Sequence, residues 1–250
     1  MYRIIKYPDF TQFSPTYLDI DDLVLVFNNG KKWKVIALSD MCQYPVIYDK
    51  YYENGKTDKN ISITFCPFSY SSVVYFDEWI PLKETYKNNI ILQYKKNKKI
   101  KIHQLSGKFI ESSDISETDT IVLRKNEIVI MKIKNVLKNY PDCLYFNNGK
   151  IIESIIPKNY LKTDTFIYPL ASKLDTRFSP KKLVYGVLNS SNDIPSVIAS
   201  KNNEIDFDES GYQDYFETHI KDIKDNGGFI VPCLWFSWME HYPDSMVVEI

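Results

Sequence analysis

The chain has 250 residues, 44% of them hydrophobic and 25% charged, with a net charge of −1. A chain of that length can bury a core without disulfide or metal staples. Its charge gives no global pull toward nucleic acid or an anionic membrane, and no run of about 18 apolar residues is present to span a bilayer.

Aromatic residues make up 15%, chiefly 19 Tyr and 14 Phe, against 8 Gly. That balance favours sheets over helical bundles, because Tyr packs its ring while its hydroxyl stays wet. The abundance of Lys, Asn, Ile and Tyr is the composition of an AT-rich genome, as in a large DNA virus. The N-terminus from Met1 to Pro8 has no sustained apolar h-region. The expected location is therefore the cytoplasm or a virion assembled there. The four cysteines, Cys42, Cys66, Cys143 and Cys233, are widely spaced and are expected as buried thiols.

Short apolar runs alternate with turn signals. Leu23 to Phe27 predicts a strand, Asn28-Asn29-Gly30-Lys31 a hairpin turn, and Trp33 to Leu38 the returning strand. Further strands are expected at 61–65, 73–76, 90–94, 100–103, 121–123, 128–131 and 143–146. Helices are expected over Ile133 to Asn139 and Tyr212 to Ile223, where apolar residues fall at helical spacing. Leu234 to Met239 fits a short buried helix or a strand equally well.

The expected fold is a β-rich α+β unit of antiparallel sheets, barrel-like or sandwich-like, with a few short helices. It forms a single unit over residues 1–250, with 1–150 and 175–250 as two related halves. The halves are signalled by an echo. Val35-Ile36-Ala37-Leu38 followed by Pro45 matches Tyr185-Gly186-Val187-Leu188 followed by Pro195, and Tyr140-Pro141-Asp142 recurs as Tyr242-Pro243-Asp244. Both read as one device used twice: an apolar segment, a turn closed by Asp, and a strand.

In order, Lys34 to Leu38, Gln43-Tyr44-Pro45-Val46, Ile63-Thr64-Phe65-Cys66-Pro67 and Val74-Tyr75-Phe76-Asp77 resemble the DUF3179 family. So do His103-Gln104-Leu105-Ser106-Gly107-Lys108, Val136 to Leu144, Arg177 to Val187, and Trp235 to Asp244. The family's Cys-Pro-x-Cys pair is broken here, with Ser69 in place of the second cysteine. The resemblance implies a β-rich fold and leaves function open.

Three functions follow. The leading one is a non-catalytic binding or structural protein, such as a virion or assembly component, with protein partners or self-association. It rests on the absence of any complete catalytic constellation. The chain has no phosphate-cradling glycine loop and no nucleophile elbow, and carboxylate pairs such as Asp21-Asp22 and Asp206-Asp208-Glu209 lie in polar stretches.

The first alternative is a thiol-dependent or redox-linked protein centred on Cys66, with His103 as base and Gln104 beside it. Ser69 cannot resolve a mixed disulfide or complete a zinc site, so only a lone nucleophile is left. The second alternative is a nucleic-acid accessory using Lys95, Lys96, Lys98, Lys99 and Lys101. The bland reading of those lysines is a hairpin that guards a sheet edge. His103, His219 and His241 lack histidine partners at ligand spacing, so no metal and no cofactor are expected.

Overall fold

The computed structural model describes residues 2–12, 17–53, 55–110, 128–148, 156, 159–188, 194–199, 223 and 228–249. The elements begin with β1 (Ile4–Lys6), β2 (Phe10–Thr11), β3 (Leu23–Asn28), β4 (Trp33–Ala37), α1 (Leu38–Gln43), β5 (Val46–Glu53) and β6 (Lys56–Cys66). Next come β7 (Ser71–Phe76), β8 (Trp79–Tyr86), β9 (Asn89–Tyr94), β10 (Lys101–His103), β11 (Ile128–Lys132), α2 (Ile133–Asn139) and β12 (Leu144–Phe146). A 3-10 turn (Tyr160–Lys162) precedes β13 (Leu183–Leu188), β14 (Ser196–Ala199), β15 (Phe229–Leu234), α3 (Trp235–His241) and β16 (Met246–Glu249). The strand expected at 121–123 and the helix expected over 212–223 fall outside the described residues, except for Ile223.

Four small sheets result, in the orders β1-β5-β6-β7, β10-β9-β8, β11-β3-β4-β12-β2 and β15-β13-β14-β16. The chain is thus a β-rich α+β protein with mainly antiparallel sheets and short helices. Three pairings are parallel, namely β1 with β5, β12 with β4, and β14 with β16. One large core cluster draws residues from all four sheets, among them Phe27, Phe65, Leu92 and Val184.

Strand β3 shows why its sequence is a continuous apolar run. Leu25 and Phe27 face the large core, while Val24 and Val26 pack with Val35, Ile133 and Val136 in a second cluster beneath α2. A strand buried on both faces has no polar alternation to display. The Asn28–Lys31 hairpin forms as predicted. Asn28 Oδ1 accepts from Gly30 N at 2.7 Å, and Asn29 Oδ1 accepts from Lys32 N at 3.0 Å. Gly30 has φ +85, and a Cβ there would sit 2.0 Å from the Tyr52 carbonyl oxygen, so this turn requires glycine.

The third and fourth sheets are built alike. In each, a hairpin forms the central pair: β3 with β4, and β13 with β14. A later strand joins antiparallel outside the first, runs straight into a 7-residue helix, and leaves through Tyr-Pro-Asp into a strand parallel to the second. The registers coincide as well. Leu23 opposite Lys132 answers to Leu183 opposite Leu234, and Val26 opposite Val129 answers to Gly186 opposite Val231. Val26 opposite Val35 answers to Gly186 opposite Val197, and Tyr145 opposite Val35 answers to Val247 opposite Val197.

This register sets Val35-Ile36-Ala37 on Val197-Ile198-Ala199, the same three residues. The echo seen in sequence between Val35–Leu38 and Tyr185–Leu188 therefore joins the wrong strands, since Tyr185–Leu188 takes the place of β3 rather than β4. The Tyr-Pro-Asp echo joins equivalent places. The same local device occurs a third time after β4. Helices α1, α2 and α3 end on Tyr44, Tyr140 and Tyr242, whose N–H groups donate to the carbonyls of Asp40, Val136 and Trp238. Pro follows each time, which forbids another helical turn and releases the chain into a strand.

Candidate functional site

Strand β6 carries its small polar residues on alternate positions, Ser62, Thr64 and Cys66, all with no exposure. Pro67 to Tyr70 turn the chain back, with Tyr70 in the left-handed region at φ 53, and β7 returns Ser71 opposite Cys66. Two amides from other elements close over this face: Asn89 at the start of β9, and Gln104 just after β10.

The hydrogen bonds form a closed set. Ser71 Oγ donates to Gln104 Oε1 at 2.6 Å, and Gln104 Nε2 donates to Thr64 Oγ1 at 2.9 Å and to the Ser71 carbonyl at 3.3 Å. Asn89 Nδ2 donates to Ser69 Oγ and Ser71 Oγ, each at 2.8 Å, while its Oδ1 accepts from Leu105 N at 3.1 Å. Ser69 and Ser71 hydroxyls lie 2.9 Å apart. Tyr75 OH donates to the Gln104 carbonyl at 2.6 Å. Thr64, Ser69, Ser71, Asn89 and Gln104 are all wholly buried. A satisfied network in a low-dielectric interior fixes one packing, because every alternative strands a polar group.

Cys66 sits at the rim of this network. Its thiol donates to the Asn88 carbonyl at 3.7 Å. Burial raises its pKa, offset in part by hydrogen bonds from Ser69, Phe68 and Ile90. A thiolate there would lose its hydration without gaining a cation, so the protonated form is favoured.

His103 makes other contacts. Its ring stands 4.2 Å from Tyr86 and 5.9 Å from His241 of α3. Burial, then the nearby Lys87 and Lys108, lowers the His103 pKa to about 4. Burial, followed by His103 and the same lysines, lowers that of His241 to about 3. Nε2 of His241 is buried and meets no partner among the described residues. The thiol and the imidazole have separate sets of partners, and Gln104 belongs to the thiol's side. The β8–β9 turn connects the two regions. Lys87 and Asn88, both at positive φ, place Lys87 Nζ 2.6 Å from the Glu240 carbonyl and Asn88 Nδ2 3.4 Å from Glu240 Oε2.

The lysine hairpin forms between β9 and β10, where Tyr94 N donates to the Ile100 carbonyl at 2.9 Å. Lys95 is paired with Glu78, Lys96 with Asp77 at 2.7 Å, and Lys101 with Glu84 at 3.8 Å. Lys98 and Lys99 are exposed. Among the described residues no group of three or more His, Cys, Asp or Glu is placed to hold a metal ion. His219 lies outside the described residues.

Sequence reasoning passed over several buried titratable groups. Asp40 in α1 is fully buried and accepts from Tyr17 OH at 3.2 Å and from Asn148 Nδ2. Burial raises its pKa to about 6. Lys181 is 1% exposed, donates to the Tyr160 carbonyl at 2.6 Å, to the Thr165 carbonyl and to Thr163 Oγ1 at 3.3 Å, and lies over the Tyr160 ring. Burial lowers its pKa to about 8, yet its three donors are all spent on tying down residues 160–165. The alternation Ser62-x-Thr64-x-Cys66 was the available sign of a polar face within the sheet; nothing local marks Asn89 or Gln104 as its partners. Compared with family models, curated proteins and solved structures, the chain matches none.

Proposed function

We propose that the chain is a non-catalytic binding or structural protein, an assembly component of the cytoplasm or of a virus particle. One observation carries this reading. The side chains that most resemble catalytic equipment, around Cys66, are wholly buried, and those of Ser71, Asn89 and Gln104 are fully hydrogen-bonded to one another and to backbone. Chemistry needs a group left free for substrate, and here Gln104 and Asn89 are used as rivets between β6–β7, β9 and β10. The kinship with DUF3179 and the relation between halves 1–150 and 175–250 belong to the same proposal. The relation between the halves is supported by the shared registers of the third and fourth sheets, whereas the kinship rests on the sequence segments alone.

The test is alkylation of the folded protein with a thiol-specific reagent, read residue by residue. Cys66 is expected to label only on unfolding, at the rate of global opening. Labelling of Cys66 in the native state, faster than Cys42 and Cys233, would overturn the reading in favour of a reactive thiol. Nucleic-acid binding is disfavoured because Lys95, Lys96 and Lys101 each face a carboxylate. Flow-through on heparin at low salt is the expected result, and salt-dependent retention would restore that alternative.

A further inference from the structure

The two matching sheets differ at one place. In the third sheet, β12 is not an edge: β2 lies antiparallel outside it, with Thr11 opposite Tyr145 and Phe10 opposite Phe146. Phe10 packs there against Phe146 and Phe27, at 6.2 and 6.3 Å between ring centres. In the fourth sheet the equivalent strand is β16, and among the described residues no strand lies outside it. The segment that precedes β13, as β2 precedes β3, is engaged elsewhere. Ala171 N donates to Glu240 Oε1 at 2.5 Å, and the Pro169 carbonyl accepts from Asn88 Nδ2 at 3.3 Å.

Strand β16 also lacks the usual protections of an edge. Its sequence is Met246-Val247-Val248-Glu249, with no proline, no lysine and a single charge. Met246 is 58% exposed and Val248 37%, and Ile194, just before β14, is 58% exposed. The opposite edge strand β15 carries Pro232, and β10 follows directly on the lysine hairpin.

We infer that β16 pairs antiparallel with β16 of a second copy of this chain, joining two fourth sheets into one across a twofold axis. The inference deepens the self-association in the binding role proposed above. The register follows from the backbone. Met246 N donates inward, to the Pro195 carbonyl, so Val247 and Glu249 direct their N–H and C=O groups to the free side. Antiparallel hydrogen bonds form between outward-pointing residues, so Val247 must meet Glu249 of the second copy, and the axis passes by Val248. Centring on Val247 instead would bring in Ser245, whose N–H is spent on the Tyr242 carbonyl. With Val248 on the axis, two valine side chains meet in the close, non-hydrogen-bonded pairing, with an exposed Met246 at either end of the contact. The patch is self-complementary, and Glu249 meets a valine rather than another carboxylate. This contact is small beside the ~1,200 Å² of stable interfaces, so dimers are expected at micromolar concentration and above.

The experiment is sedimentation velocity on the full chain from about 1 to 300 µM, with two edge variants. The wild type is expected to shift from monomer toward dimer with concentration. Val248→Lys places two charges face to face on the axis, and Val247→Pro deletes an outward N–H; each should weaken the dimer at least tenfold while keeping the wild-type circular dichroism. Val248→Cys should cross-link into a covalent dimer under mild oxidation, since close antiparallel pairs lie within disulfide reach. A monomer at every concentration, a dimer untouched by Val248→Lys, or no cross-link at position 248 overturns the inference. None of those results bears on the thiol-labelling test, so failure here and failure of the non-catalytic reading are distinguishable.

Discussion

Gly186 lies mid-strand in β13 with ordinary extended backbone, so it is there for space alone. A Cβ at that position would stand 1.8 Å from Trp238 Cζ3 and 2.2 Å from Cε3 and Cη2. Carbon atoms pack at about 3.5–4.0 Å, so Gly186→Ala forces the indole back by roughly 2 Å. The ring has nowhere to go. Trp238 is wholly buried, its Nε1 donates to Ser245 Oγ at 2.9 Å, and it lies 4.6 Å from Tyr242. Overpacking costs about 1–3 kcal/mol in general, and a rigid ring this close puts the cost near ~3 kcal/mol, or a Tm lower by roughly 6–12 °C. The third sheet displays the alternative solution: the equivalent places hold Val26 and Val136, packed in one cluster. Trp238→Val alone should cost ~3 kcal/mol or more through its cavity. The double variant Gly186→Val with Trp238→Val should be better than the sum of the singles by at least about 2 kcal/mol. Urea denaturation followed by circular dichroism measures all three. Strict additivity, or a Gly186→Ala cost below about 0.5 kcal/mol, would refute the matched-register argument.

Three further outcomes are expected. His241, with its folded pKa lowered to about 3, stays neutral in the fold, so its contribution is full above pH 6.5 and is lost as pH falls toward 3. That loss is at most roughly 5 kcal/mol; His103, partly exposed, adds less than its own shift implies, and His241→Phe should flatten the acid limb of the urea midpoint. Asp40 has the opposite sign: its folded pKa, raised to about 6, means stability declines as pH rises from about 4 through 6. Asp40→Asn should therefore raise the urea midpoint at pH 8 relative to wild type and leave it nearly level at pH 4; an equal change at both would contradict the buried carboxylate. Ser71→Ala orphans Gln104 Oε1 and one donor of Asn89, and should cost about 2–4 kcal/mol, whereas Cys66→Ala should cost less because its hydrogen bond is weak. Equal costs would mean that the serine network does not hold the sheets together.

The local features were legible in the sequence. The Asn28–Lys31 hairpin, strands β6, β7 and β9 to β12 and helix α2 all follow from turn chemistry and periodicity, which act within a few residues; β8 was not foreseen. Leu234 to Met239, undecided by periodicity, is divided by the structure: Leu234 ends β15 and Trp235 begins α3. Features that depend on distant partners were not legible. Parallel pairing leaves no local mark, so β1 with β5, β4 with β12, and β14 with β16 were not foreseen. The Val-Ile-Ala identity between β4 and β14 was in plain view. It gained meaning only once Gly186 was seen to occupy the place of Val26, a substitution that hides the likeness of β3 to β13. Around Cys66, the loss of the second thiol was visible at Ser69, but the role of that serine depends on Asn89, twenty residues away in sequence, and on Ser71 across the turn.

The shared strand order has one more consequence. In both matching sheets the hairpin is complete before the chain departs, and the two strands that flank it arrive only on its return. Between β4 and β11 that excursion holds β5 to β10, which is the second sheet and all of the first but β1; between β14 and β15 it is residues 200–228. Closing a longer excursion adds little entropy cost, so this position is a socket at which sequence can be gained or shed without altering any hydrogen-bonded rung of either sheet.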